Sequence, residues 1–153
     1  SKMKVSLNID SDFKETLVKI ETPTLDGPVQ DLLEFIKGSE IEFLVGKIDE
    51  MQHILKPADI HYIHTDQEAV YAVTATGSYK LKEKLYELEE MLPSSKFIRL
   101  SKSVIANLYE LNRFEASFNG TLCVYFKSGA KEYVSRTYVA HIKDALKMNR
   151  RKK

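Results

Sequence analysis

Several features that define common protein classes are scarce or missing in this chain of 153 residues. A single cysteine, Cys123, excludes an internal disulfide and a cysteine-based metal cage. No apolar run approaches the roughly 18 residues of a membrane span. The N-terminal sequence SKMKVSLNID lacks the apolar core of a signal peptide. We therefore expect a soluble protein in a reducing compartment, the cytoplasm.

Motifs for nucleotide binding and catalysis are also missing. The chain contains no Walker loop, no G-x-G-x-x-G and no G-x-S-x-G. Cys123 stands in the middle of the strand-like stretch TLCVYFK, which favours an inert structural thiol over a nucleophile. His61 and His64 would point to opposite faces of a strand, so they do not converge on a metal. We expect no enzymatic activity, no metal and no cofactor.

Arginine is absent from the first 92 residues, and charge is divided unevenly along the chain. Residues 1–92 carry 10 lysines and 18 acidic residues, a net charge of −8, whereas residues 93–153 carry 13 basic and 4 acidic residues, a net charge of +9. A segregated basic region favours a polyanionic partner, and the arginine fork matches phosphate and guanine edges. The basic tail, residues 149–153, supplies four of these positive charges. The alternative interpretation of this tail is an ordinary solvated terminus.

Hydrophobic periodicity predicts a small β-β-α unit over residues 1–40. Apolar residues alternate from Met3 to Ile9, and Thr16–Thr22 reads as a second strand. Asp26-Gly27-Pro28 is typical of a helix start, and Gly38 of a helix end. This unit has too little core to stand alone. We expect it to dock on the rest of the chain or to form a homodimer.

Residues 41–148 predict a mainly β domain with short helices, an α+β fold. Pro93 ends a helix whose leucines recur at helical spacing, and Asn119-Gly120 is a strong hairpin signal. Phe114, Ala116 and Phe118 alternate on one side of the first hairpin strand and are expected to form a buried face. A last helix is expected after Ser135.

In these segments the chain resembles the LytTR family of bacterial DNA-binding domains. The most specific pieces are FIRLSKSVIANL and YVSRTYV, with an FNG hairpin between them. The resemblance implies an elongated β-sheet domain that binds double-stranded DNA through loops entering successive major grooves. It also implies a transcription regulator acting at paired direct repeats. Residues 1–40 are too short for a receiver domain, and kinship with the receiver-less branch implies a small inhibitory membrane protein as a partner.

The resemblance assigns DNA-contacting residues to three loops. In the first, Lys102 falls on a base-reading position between Ser101 and Ser103, where a lysine can donate to guanine O6 and N7. The second is the junction before the last helix, where Arg136 matches the family pattern and Thr137 replaces a frequent arginine. Glu68 occupies the third loop without an assigned role. The DNA-binding residues expected are Glu68, Ser101, Lys102, Ser103, Ser135, Arg136, Thr137 and Tyr138.

Two other functions compete with this interpretation. Residues 1–40 could be the working surface of a protein-interaction module whose basic region binds nucleic acid only nonspecifically. An RNA-binding sheet is the other alternative, since aromatic side chains can stack on bases. Phe114, Phe118, Tyr125 and Phe126 are its candidates, although the RNA-recognition signature is missing. Asn107 also matches the family but is expected to be structural, as it stands between Ala106 and Leu108.

Overall fold

The computed structural model describes residues 3–37 and 41–147. The chain divides into two compact units, Ser1–Gly38 and Ser39–Lys153. Within the described ranges, no helix is both long and apolar enough to cross a membrane.

The N-terminal unit contains one helix, α1 (Gly27–Lys37), and no strand among residues 3–26. The helix begins as expected, because the Asp26 carboxylate accepts a hydrogen bond from the Val29 backbone N–H at 3.1 Å. The two strands predicted at Met3–Ile9 and Thr16–Thr22 are wrong. Val5, Leu7 and Ile9 are 83–90% exposed. An isolated hairpin that buries so little apolar surface does not offset its loss of chain entropy.

The second unit is built on an antiparallel sheet of seven strands, which confirms the mainly β fold. Its spatial order is β2-β1-β5-β4-β3-β7-β6, and each pair of neighbours is antiparallel. The strands are β1 (Leu44–Ile48), β2 (Met51–Leu55), β3 (Ile60–Asp66), β4 (Ala69–Thr74), β5 (Gly77–Leu81), β6 (Phe97–Ser101) and β7 (Val104–Asn107).

One face of this sheet packs against the helix α2 (Leu85–Met91). The leucines at helical spacing confirm the expected amphipathic face, since Leu85 and Leu88 are buried while Glu87 and Glu89 are exposed. Leu92 then leaves the helix in an extended conformation directly before Pro93. The resulting core also contains Ile63, Ala72, Leu81, Phe97 and Ile105.

The opposite face of β6 and β7 supports a smaller three-stranded sheet and the last helix. The sheet order is β10-β9-β8, with β8 (Leu111–Ala116), β9 (Leu122–Phe126) and β10 (Lys131–Val134), and the helix is α3 (Arg136–Ala145). Leu100 and Val104 from the large sheet pack here with Val124, Phe126 and Ile142. Successive side chains of β6 and β7 point to opposite faces of the large sheet, so these two strands contribute to both hydrophobic cores.

The predicted hairpin strands β8 and β9 both form, but their burial differs from the expectation. Leu122, Val124 and Phe126 of β9 are buried, whereas Phe114 is 44% exposed and Phe118 is 76% exposed. The expected buried face containing Phe114 and Phe118 is therefore wrong. Phe114 is exposed because β8 is an edge strand of the smaller sheet, whereas Phe118 lies beyond β8, in the turn to β9. Cys123 is 3% exposed in β9, in agreement with a structural thiol.

Candidate nucleic-acid interface

Two tight turns lie side by side at one end of the large sheet. Gln67 and Glu68 connect β3 to β4, and Lys102 and Ser103 connect β6 to β7. Strands β3 and β7 are neighbours, and His64 lies opposite Val104 in their register. The two turns are therefore adjacent although 35 residues of sequence separate Gln67 from Lys102.

Backbone hydrogen bonds join these turns to each other and to the start of α3. The Thr65 N–H donates to the Ser103 carbonyl at 2.9 Å, which links the β3–β4 hairpin to the β6–β7 turn. The Ser135 N–H donates to the Leu100 carbonyl at 3.0 Å, which links the start of α3 to β6. The strand register shifts between Arg99 and Ser101, and this bulge leaves Leu100 outside the regular pairing. Three segments that are distant in sequence thus form one continuous surface.

Lys102 occupies the tip of the β6–β7 turn. Its side chain is exposed, as is that of Ser103, whereas Val104 next to them is buried. The Ser103 N–H donates to the Ser101 hydroxyl oxygen at 3.2 Å, and the two serine hydroxyls lie 3.3 Å apart. This local bonding closes the turn between two fixed strands. It presents the lysine amine on a rigid support, from which it can donate to an acceptor outside the protein.

The β3–β4 turn is strained and carries long polar side chains. Gln67 and Glu68 have φ values of 49° and 68°, in the left-handed region that a two-residue hairpin turn of this hand requires. Asparagine and glycine are the residues that adopt this conformation at low cost. Both side chains are exposed. Residues of a poorly suited type at such a turn indicate a role other than turn formation.

The junction before the last helix presents Arg136 and Thr137. Ser135 is the residue before the first turn of α3, and its side chain makes no capping hydrogen bond. Arg136 and Thr137 are exposed in the first turn. Tyr138 is half-buried and packs against the core beneath α3. Its N–H donates to the Ser135 carbonyl at 2.8 Å, which anchors the junction.

A fourth turn contacts Arg136 from the smaller sheet. Phe118, Asn119 and Gly120 link β8 to β9, and Asn119 and Gly120 adopt φ values of 58° and 77°. A Cβ atom at Gly120 would lie 3.0 Å from Cδ and 3.2 Å from Cγ of Arg136. The absence of a side chain at Gly120 therefore gives the stem of Arg136 its path past this turn.

Two neighbouring polar residues have structural roles. Arg99 lies on the α2 side of β6, where its Nε is 3.5 Å from a Glu89 carboxylate oxygen, so it is not part of the surface formed by the turns. Asn107 is 3% exposed; its amide donates to the Ile60 carbonyl at 2.8 Å and accepts from the Tyr109 N–H at 3.0 Å. The expectation that Asn107 is structural is confirmed.

The charge of this surface comes from exposed lysine and arginine side chains rather than from histidine. Burial is the main influence that lowers the pKa of His64, and the nearby Asp66 only partly opposes it. His64 is therefore mainly neutral near pH 7. Beside the turns, Lys82 and Lys84 are exposed just after β5, whose Leu81 pairs with Val70 at the same end of the sheet. Within residues 3–37 and 41–147, no group of three or more His, Cys, Asp or Glu could hold a metal ion.

Comparison with known proteins identifies the family. The family model for the LytTr DNA-binding domain matches residues 50–147. This chain belongs to the LytTR family of DNA-binding domains. The match spans β2 to α3 and includes all four turns described above. A role in DNA binding and transcription regulation therefore follows for this LytTR protein.

Relatives and a solved structure agree with this assignment. HTH-type transcriptional regulators of Staphylococcus aureus strains NCTC 8325 and COL are each 34% identical over 145 residues, which cover 94% of this chain and 98% of theirs. The structure of the LytTr DNA-binding domain of a Bacillus cereus protein superimposes with a TM-score of 0.67 at 20% identity, covering 69% of this chain and 97% of that one. Among the described residues here, strands separate every two successive helices, so a helix-turn-helix is not formed.

Sequence reasoning found the turns that carry Glu68, Lys102 and Arg136 but gave no role to three other contributors to the surface. Gln67, Gly120 and Lys82 carried no family assignment. The unfavourable residue types at a two-residue hairpin loop were a usable signal for Gln67. The contact between Gly120 and Arg136 and the placement of Lys82 arise from packing between distant segments, which no local pattern records.

Proposed function

We propose that this LytTR protein is a sequence-specific transcription regulator whose turns read the major groove of double-stranded DNA. The observation that carries the proposal is the pair of backbone hydrogen bonds, Thr65 to Ser103 and Ser135 to Leu100, that unites three turns into one surface. Exposed Lys102 and Arg136 stand on that surface. Tight turns on a rigid sheet hold base-reading groups in fixed positions, which is the requirement for specificity.

Each expected contact residue has a role that its surroundings support. Lys102 and Arg136 donate to guanine O6 and N7, and Thr137 offers a hydroxyl and a methyl group that suits thymine. The hydroxyls of Ser101, Ser103 and Ser135 contact phosphates, because they lie beside the base-reading residues at the same surface. Tyr138 positions the junction from below, since it packs in the core and bonds to Ser135.

The β3–β4 turn contributes a third reading element. A glutamine can pair with adenine N6 and N7, and a glutamate can accept from cytosine N4. The strain tolerated at Gln67 and Glu68 supports this role, since glycine and asparagine would form the turn more easily. Glu68 also acts against incorrect binding positions on the DNA. Its carboxylate repels phosphates, so a shifted position of the protein along the duplex is disfavoured.

We further propose that two copies of the protein occupy paired direct repeats in the cytoplasm. The interface described for one chain is small, and the two copies together double the number of base contacts. Affinity would then depend strongly on salt, since lysine and arginine release counterions from the DNA.

A binding titration tests the proposed function. The full chain is titrated with a duplex from its own upstream region and with a scrambled duplex, each at two salt concentrations. We expect a preference for the native duplex that persists at the higher salt concentration. Equal binding that collapses with salt would reject sequence-specific reading of this duplex. Single-stranded RNA serves as a competitor, and displacement of the duplex by RNA would favour the RNA-binding alternative supported by exposed Phe114 and Phe118.

Relieving the strained β3–β4 turn should stabilise the fold and weaken sequence reading. In the double variant Gln67→Asn with Glu68→Gly, the turn acquires its preferred residues, and we expect the free energy of unfolding to rise by about 1 kcal/mol. Preference for the specific duplex should fall, because both proposed reading side chains are lost. Urea unfolding and duplex titration measure the two effects, and a stabilised variant with unchanged preference would show that this turn does not read DNA.

A side chain at Gly120 should impair DNA binding through Arg136. Gly120→Ala would force the Arg136 stem to move by a few tenths of an ångström and would strain the backbone at φ 77°. Gly129→Ala is the matched control, since Gly129 also has a positive φ of 97° but no atom within 4 Å of an added Cβ. We expect comparable losses of stability in urea, with reduced specific DNA affinity for Gly120→Ala alone. Equal DNA binding by the two variants would contradict the role of Gly120.

A further inference from the structure

An unprotected edge strand lies on the side of the large sheet away from the turns. Strand β2 is the terminal strand of the seven-stranded order, with only β1 as its neighbour among the described residues. Its sequence, Met-Gln-His-Ile-Leu, has no lysine, arginine, aspartate or glutamate, no proline and no glycine. Natural edge strands are usually guarded by such residues or by a bulge, because an open edge pairs with other strands.

Apolar side chains accompany this open edge. Val45 and Ile54 lie directly opposite one another on β1 and β2 and are 44% and 74% exposed. Phe43, just before β1, is 51% exposed, and Met51 at the start of β2 is 65% exposed on the other face of the strand. Exposed apolar residues that are clustered beside unpaired backbone groups indicate an interaction surface.

The N-terminal segment of the same chain has the complementary pattern. Val5, Leu7 and Ile9 alternate with Ser6 and Asn8, which is the pattern of a strand with one apolar face. Within the described residues, no strand pairs with this segment, and its three apolar side chains are 83–90% exposed. Val5–Ile9 has the same length as β2, five residues. Val5–Ile9 therefore has the sequence pattern of a strand but no sheet to join among the described residues, and the β2 edge has no second neighbouring strand there.

We propose that Val5–Ile9 of one copy adds as a strand to the β2 edge of a second copy, and that the exchange is reciprocal. Backbone hydrogen bonds would complete the edge, and the row Val5, Leu7 and Ile9 would extend the apolar row of Val45 and Ile54. A two-fold arrangement satisfies both segments and both edges at once, so assembly stops at a dimer.

This dimer leaves the surface formed by the turns accessible. The turns connect β3 to β4 and β6 to β7, and two strands, β1 and β5, stand between β2 and β4. Each copy therefore retains its own DNA-contacting residues. The inference goes beyond the proposed DNA reading and does not rest on it, because the experiment that tests it uses no DNA. Its failure would leave the proposed DNA reading untouched.

Sedimentation equilibrium of the full chain tests the exchange. We expect the wild type to be a dimer at micromolar concentrations. Leu7→Lys on the segment and Ile54→Lys on the edge should each raise the dimer dissociation constant at least about 100-fold, because each change removes two buried apolar contacts per dimer. Both side chains are highly exposed in one chain, so neither variant threatens its core.

Matched controls separate the pairing from a general effect of added charge. Asn8→Lys places the same charge on the polar side of the segment, and Tyr86→Lys replaces an exposed aromatic residue on α2. Both controls should remain dimeric. Backbone hydrogen exchange at residues 5–9 should slow with rising protein concentration in the wild type and not in Ile54→Lys.

Three outcomes would overturn the proposal. The first is a wild-type monomer up to concentrations of hundreds of micromolar. A dimer that survives both Leu7→Lys and Ile54→Lys would place the interface elsewhere. A monomer whose residues 5–9 are protected independently of concentration would show that the segment pairs within its own chain.

Discussion

Replacing Lys102 with alanine is expected to weaken binding to the specific duplex by between about fivefold and about 150-fold. The lysine stands at the tip of a turn held by the Ser103–Thr65 hydrogen bond, so the backbone that carries its side chain is fixed before DNA arrives. The variant would lose the proposed contact between the lysine amine and a base. Binding to random duplexes should change little, and preference at one base pair should flatten. Titrations of wild type and variant against a set of single-base duplex variants measure this.

Lys127→Ala provides the matched control for this lysine. Lys127 is also exposed in a turn, but this turn follows β9 of the smaller sheet. Its N–H donates to the Glu110 carbonyl rather than to a turn of the large sheet. Its removal should leave base preference intact. If Lys102→Ala lowers binding to specific and random duplexes equally, Lys102 contacts phosphate only, and base reading by this turn is refuted.

Truncating Leu100 is expected to cost about 2–5 kcal/mol of unfolding free energy. Leu100 is 0% exposed and packs with Val124, Phe126, Val134 and Ile142 between the large sheet and α3. Its carbonyl also accepts the hydrogen bond from Ser135 that fixes the start of α3. Leu100→Ala therefore leaves a cavity at the point where β6 and the start of α3 are joined. Urea unfolding gives the change in stability.

An exposed leucine serves as the comparison for Leu100. Leu17 is 81% exposed, so Leu17→Ala should change the unfolding free energy by less than about 0.5 kcal/mol. In the Leu100 variant, specific DNA binding should fall even where the protein is fully folded, because the start of α3 loses its support. A loss of stability below about 1 kcal/mol would contradict the tight packing assigned to this residue.

The parts of the fold that sequence predicts well are those whose pattern is local. The Asn119-Gly120 pair specifies the turn that joins β8 to β9, since both residues adopt the positive φ values that such a turn requires. Leucines at helical spacing before Pro93 specify α2. Lys102 and Arg136 were identified through family resemblance, and the structure places both on one surface. Their contacts with DNA remain a prediction.

The parts that sequence misses depend on partners distant in the chain. Met3–Ile9 has the pattern of a strand but forms none in the described chain, because pattern alone supplies no neighbouring strand. Phe114 alternates like a core residue, yet β8 is an edge strand and leaves it exposed. Adjacent placement of the two turns follows from pairing of β3 with β7, which are far apart in sequence.

Methylation protection at guanine N7 distinguishes reading of the major groove from contacts with the backbone alone, because N7 lies in the major groove. Dimethyl sulfate would be applied to a duplex that the protein prefers over its scrambled control, with and without the bound protein. We expect protected guanines in successive major grooves on one side of the duplex, and we expect Lys102→Ala to remove the protection of one of them. Specific binding without any protection at N7 in a guanine-containing site, accompanied only by backbone protection, would contradict reading of the major groove by these turns.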